Sequence, residues 1–77
     1  MDKLRAMTTF VRIVETGSLT AAAERLGTSP TSVVRSLSAL ERALGVRLLN
    51  RTTRRMALTD EGRDYFERCR RLLSEVE

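Results

Sequence analysis

Three apolar runs at helical spacing, each stopped by a glycine, confine the first 45 residues to short helices. From Asp2 to Thr16, the residues Leu4, Met7, Phe10, Val11 and Val14 share one face, and Gly17 suits a helix C-terminal cap. Ser18 is an N-cap candidate for a second helix. Its stripe, Leu19, Ala22, Ala23 and Leu26, falls at i, i+3, i+4 and i+7, and Gly27 ends it. The two alanines leave room for another helix to come close. Ser29 followed by Pro30 predicts the start of a third helix, which runs to Leu44 and stops at Gly45. Gly62 reads as punctuation of the same kind, and no glycines cluster into a phosphate-cradling loop.

The third helix divides into two unlike sides. Val33, Leu37, Leu40 and Leu44 make a core face. Thr31, Arg35, Ser38 and Arg42, at i, i+4, i+7 and i+11, make a wholly polar one. That stripe suits insertion into a groove lined with hydrogen-bonding edges, and an ordinary solvent face would look the same. Two helices joined by a short glycine-containing turn form a helix-turn-helix signature.

Helical periodicity is lost between Val46 and Thr59. Leu48-Leu49-Asn50 and Met56-Ala57-Leu58 are predicted as two short strands. Between them lies Arg51-Thr52-Thr53-Arg54-Arg55, a poor core former and a good ligand for phosphate or the minor groove. The tip lacks the Asn-Gly that two-residue hairpins prefer, so a longer turn is expected. A helix-turn-helix followed at once by a basic hairpin has the layout of a winged DNA-binding domain.

Charge follows the same map. Residues 35–59 carry six arginines against one glutamate, net +5, in a chain whose net charge is +4. Residues 1–34 are net +1 and residues 60–77 net −2. A local excess of this kind is the footprint of a polyanion-binding surface, or else a solvated face of unpaired arginines.

The last segment, Thr59 to Glu77, returns to helix, with Thr59 as N-cap and Asp60 and Glu61 at the positive end of the dipole. Tyr65, Phe66, Cys69, Leu72, Leu73 and Val76 form a wide apolar stripe. Phe66, Cys69, Leu73 and Val76 follow heptad steps. The helix is long for so small a core, and its second half is expected to need a partner, the natural one being the same helix of a second copy. Cys69, on that stripe, reads as a small buried hydrophobe rather than a reactive thiol.

With 77 residues the chain makes one small domain with a marginal core. One cysteine excludes an internal disulfide, and the absence of histidine excludes the usual Cys/His zinc site and histidine acid–base catalysis. No stretch approaches the roughly 18 apolar residues of a membrane span. Met1-Asp2-Lys3-Leu4-Arg5 has no apolar run behind it, so it does not read as a signal peptide, and a cytoplasmic location is expected.

Several runs then carry a resemblance: Gly17-Ser18-Leu19-Thr20-Ala21-Ala22-Ala23-Glu24-Arg25-Leu26, Ser29-Pro30, Leu40-Glu41 and Leu44-Gly45-Val46-Arg47-Leu48-Leu49, followed by Asn50-Arg51-Thr52-Thr53-Arg54 and Leu58-Thr59. In order and over essentially the whole chain, they resemble the N-terminal domain of LysR-type transcriptional regulators. The resemblance implies a mainly α fold: a winged helix-turn-helix over 1–58, with a three-helix core and a two-stranded wing, then a linker and dimerisation helix over 59–77. It implies a homodimer on double-stranded operator DNA carrying an interrupted inverted repeat, in the bacterial nucleoid. The family's effector-binding domain is absent from this chain, so a small-molecule effector is expected only for that domain, and no cofactor for this chain.

By the same resemblance Pro30, Thr31, Val34, Arg35 and Ser38 would contact bases, with Arg35 suited to a guanine. Arg54 would reach the minor groove. Thr28, Ser29, Arg51, Thr52, Thr53 and Arg55 would meet the backbone, and Tyr65, Phe66, Cys69, Leu72, Leu73 and Val76 would form the dimer interface. Val34 stands where many members have serine, which suits a thymine methyl. Pro30 stands where many have glutamine followed by proline. Two other functions compete. A helical protein-interaction module explains the last helix but not the basic hairpin. A non-specific nucleoid or RNA-binding role fits the charge but not the short polar stripe or the lack of stacking aromatics. No metal-ligand cluster or nucleophile–base pair supports an enzyme.

Overall fold

A computed structural model describes residues 2–51 and 56–76, in the order α1 (Lys3–Thr16), α2 (Leu19–Leu26), α3 (Pro30–Leu44), β1 (Leu49–Arg51), β2 (Met56–Leu58) and α4 (Asp60–Val76). The helix starts share one device. A short side chain at the N-cap accepts from the amide three residues on: Asp2 from Arg5 at 3.1 Å, Ser18 from Ala21 at 3.2 Å, Ser29 from Ser32 at 3.2 Å and Thr59 from Gly62 at 2.8 Å. Three of these caps match the sequence expectation. The fourth, Asp2, stands just outside the first helix rather than within it. Gly17, Gly27 and Gly45 stop α1, α2 and α3 in the left-handed region that a side chain would resist.

Helix α1 packs against α2, α3 and α4 and is the centre of the molecule. Its buried surface is therefore wider than a single stripe. Ala6 and Ile13 join Met7, Phe10 and Val11 inside, while Leu4, expected on the apolar face, is 46% exposed at the rim. From α3 the predicted Val33, Leu37 and Leu40 are fully enclosed, with Leu44 partly covered. Ala22 and Ala23 bring α2 onto this core.

Two expectations change at the junction of the wing and α4. Leu48 is not in the strand: β1 begins at Leu49, paired antiparallel as Leu49↔Leu58, Asn50↔Ala57 and Arg51↔Met56. The Leu48 carbonyl carries that register one step further, to the start of α4, where it accepts from the Thr59 amide at 3.1 Å. Gly62 is not punctuation either, since it sits inside the first turns of α4. A Cβ there would collide with the Leu48 carbonyl oxygen, so glycine is what lets α4 lie directly on the wing root.

The first turns of α4 belong to the core. Tyr65 and Phe66 pack on the Phe10 ring at centroid distances of 5.9 Å and 6.3 Å, the second edge-on. Cys69 is completely enclosed by its own chain. It is therefore withdrawn from the expected dimer interface, and a boundary at residue 58 cuts through packed structure. Leu73 is partly covered, and Leu72 is 49% exposed. The side chain of Val76 lies outside the described residues. Among the described residues, no helix is long and apolar enough to cross a membrane.

Candidate nucleic-acid interface

The turn that aims α3 is built by local hydrogen bonds. The amides of Gly27 and Thr28 close back onto α2, at 3.2 Å to Glu24 and 2.9 Å to Ala23, and Ser29 opens the next helix one residue later. Pro30 takes the first position of α3, where its missing N–H costs nothing. The side of α3 away from the core then stands clear. Pro30, Thr31, Arg35 and Arg42 are exposed, whereas Val34 and Ser38 are half-buried at the edges of that face. Thr28 is half-buried behind the turn. The Ser29 hydroxyl is engaged as the cap and donates to Ser32 Oγ at 3.2 Å, and its carbonyl accepts from the Val33 amide at 3.1 Å, so its backbone N–H is the part left to meet a ligand.

The wing is seated by a residue that the motif reading quoted without a role. Glu41, the one acid among residues 35–59, turns its carboxylate from α3 to the wing root. Its Oε2 accepts from the amides of Leu48 at 2.7 Å and Leu49 at 3.3 Å. Charge-assisted bonds of this kind are roughly twice as strong as neutral ones. On the other side Thr59 Oγ1 donates to the Arg47 carbonyl at 2.6 Å. The wing thus has a fixed bearing on α3. A lone acid in a basic stretch was the available signal. The expected wing-tip residues Thr52, Thr53, Arg54 and Arg55, and the side chain of Arg51, lie outside the described residues.

Arg35, Arg42 and Arg47 are exposed and form no ion pair among the described residues. The pairs that do form, Arg12–Glu15 at 2.9 Å and Arg63–Asp60 at 3.5 Å, lie on α1 and α4. Among the described residues no three His, Cys, Asp or Glu side chains meet as a metal site requires. Chemically the surface offers a helix with short polar and arginine side chains, beside the root of a two-stranded hairpin that carries the exposed Arg47. That suits the edges and phosphates of a duplex.

The comparisons agree with this geometry. Residues 4–63 match the family described as bacterial regulatory helix-turn-helix protein, lysR family. An HTH-type transcriptional repressor of Pseudomonas aeruginosa is 52% identical over 77 residues, which is 100% of this chain and 24% of that protein. The HTH-type transcriptional activator AaeR of Escherichia coli is 48% identical over 77 residues, 100% of this chain and 25% of that protein. The chain thus spans about a quarter of the length of these curated relatives. Among solved structures, the CbnR_DBD–DNA complex superposes with a TM-score of 0.90 at 38% identity, covering 95% of this chain and 84% of that one. BenM_DBD bound to benA site 1 DNA gives a TM-score of 0.91 at 37% identity, covering 95% and 82%.

Proposed function

The chain belongs to the lysR family of bacterial regulatory helix-turn-helix proteins, and on that premise we propose that it is the operator-binding part of a transcriptional regulator. In this reading α3 enters the major groove. Pro30, Thr31, Val34, Arg35 and Ser38 face base edges, and Arg35 is the bidentate ligand of a guanine. Arg54 reaches the minor groove, while Thr28, Ser29, Arg51, Thr52, Thr53 and Arg55 hold phosphates. Two copies join through the later turns of α4, where Leu72 and Leu73 lie beyond the packed Tyr65 and Phe66, and Val76 is a further residue of this interface. The protein works in the cytoplasm at the nucleoid and binds DNA rather than catalysing a reaction.

The observation that carries the reading is the exposed arginine face of α3 beside a wing that Glu41 holds at a fixed bearing. Selection from a randomised duplex pool at near-physiological salt tests it. The expected product is an interrupted inverted repeat with half-sites about one helical turn, or a multiple, apart. Arg35→Ala is then expected to cost about 1–3 kcal/mol on that duplex and to relax one or two positions. An unchanged ratio of selected to scrambled affinity in Arg35→Ala removes its base-reading role. No enrichment, with binding that vanishes as salt rises, leaves only electrostatic attachment.

A further inference from the structure

A polar concavity lies on the far side of α3 from the wing. It has a volume of about 180 Å3 and is lined by Arg5 and Thr8 of α1, Thr28 of the turn, and Ser32 and Ser36 of α3, closed behind by Thr9, Leu26 and Val33. None of its lining residues is acidic. Arg5 is exposed and forms no ion pair among the described residues. The hydroxyls differ in what they can still do. Thr8 and Thr9 donate to the Leu4 and Arg5 carbonyls, each at 2.9 Å, so their protons are already committed within α1. Ser32 Oγ accepts from Ser29 and keeps its own proton. The hydroxyls of Thr28 and Ser36 have no partner among the described residues. The notch is therefore a set of donors from three elements around one guanidinium, which is the chemistry of an oxyanion site.

Its position gives the anion an identity. At 100° per residue, Val34 and Glu41 lie on one flank of α3, where Glu41 reaches the wing root, and Ser32 and Ser36 lie on the other. A helix with its side chains is about 10–12 Å across, and the major groove is about 12 Å wide. An inserted helix has a phosphate backbone along both flanks. The wing accounts for one of them. We propose that Arg5, Thr28, Ser32 and Ser36 form a clamp for a backbone phosphate on the opposite rim of the groove, so that α3 is gripped from both sides. This rests on the DNA-binding reading above and adds to it Arg5, Ser32 and Ser36, which the sequence motifs did not single out.

The test is a fluorescence anisotropy titration of the 77-residue chain with a labelled duplex of mixed sequence, repeated across a salt series. Each lost phosphate contact flattens the slope of log K against log salt by about 0.9. Arg5→Ala is expected to show that change, with a penalty roughly threefold larger at about 50 mM than at about 200 mM salt. Arg5→Lys, which keeps a point charge, is expected to restore the slope. Ser36→Ala is expected to weaken binding at every salt concentration with the slope unaltered, because a hydroxyl releases no counterion. Arg5 is exposed and the Asp2 cap uses its backbone amide, so the fold survives these changes; circular dichroism verifies it. A wild-type slope and affinity in Arg5→Ala, while Arg51→Ala flattens the slope, overturns the clamp and leaves the DNA reading standing. Failure of the wild-type chain to bind any duplex overturns both.

Discussion

Helices α3 and α4 are similar in length, 15 and 17 residues, and each buries one face, but they treat charge in opposite ways. On α3 the arginines point outward without carboxylates, and the single acid, Glu41, is turned aside to hold the wing. On α4, Asp60, Glu61, Asp64, Glu67 and Glu75 alternate with Arg63, Arg68, Arg70 and Arg71. Asp60 pairs with Arg63, and Arg70 lies over the Phe66 ring at 5.8 Å. A helix that leaves its cations unneutralised is prepared for a polyanion. A helix that neutralises them within itself keeps its apolar residues for protein contacts. The difference separates the two surfaces of a molecule whose core is shared.

The comparison is most severely tested at Phe10, the one ring that both aromatic residues of α4 rest on. Phe10→Ala is expected to cost about 3–5 kcal/mol in urea denaturation. Hydrogen exchange of the weakened chain is expected to show α4 losing protection before α3. Equal losses along both helices would mean that α4 is held by something other than this stack.

Gly62→Ala follows, and its sign is the informative part. In an exposed helix interior alanine is better than glycine by about 1 kcal/mol. Here the added Cβ meets the Leu48 carbonyl, so destabilisation of about 1–3 kcal/mol is expected. A gain in stability would show that α4 can slide off the wing root without penalty. Next comes Glu41→Ala, which strips two amides of their acceptor and is expected to cost about 1–2 kcal/mol. Glu41→Gln, which keeps an oxygen there, is expected to recover part of it. Duplex affinity in Glu41→Ala should fall in spite of the added positive charge. Tighter binding would mean that net charge outweighs the bearing of the wing.

These residues also mark what a sequence can disclose. The caps at Ser18, Ser29 and Thr59 and the core stripe of α3 were legible because each depends on neighbours within one or two turns of the chain. Gly62 reads from the sequence as a stop signal because its constraint is a carbonyl 14 residues away, that of Leu48, and nothing local distinguishes the two. Glu41 was passed over for the same reason, since its partners lie seven and eight residues on, across a loop. Cys69 was placed correctly on an apolar stripe, but periodicity does not say whether a stripe faces its own core or a second copy. The α3 face was legible as polar and basic. The notch around Arg5 was not, because it is assembled from three elements.

The smallest expected effect distinguishes the inside of α4 from its surface by pH. Among the described residues the Tyr65 hydroxyl is buried with no partner better than a weak contact with the Cys69 thiol. Burial pushes its phenol up, and the neighbouring Cys69 adds to the shift. Burial also pushes the Cys69 thiol up. Both groups are neutral when protonated, so the unfolded chain loses these protons first as pH rises. Below the unfolded thiol value, about 8.5, neither group makes stability depend on pH. Above it the unfolded state binds fewer protons than the folded one, and stability declines until the folded groups ionise in turn. Cys69→Ala is expected to remove the part of the decline that starts near pH 8.5, and Tyr65→Phe the part that starts near pH 10. A wild-type stability that stays flat to pH 10, or a decline that persists in the double variant, would place the alkaline sensitivity on the exposed faces instead of the seam between α1 and α4.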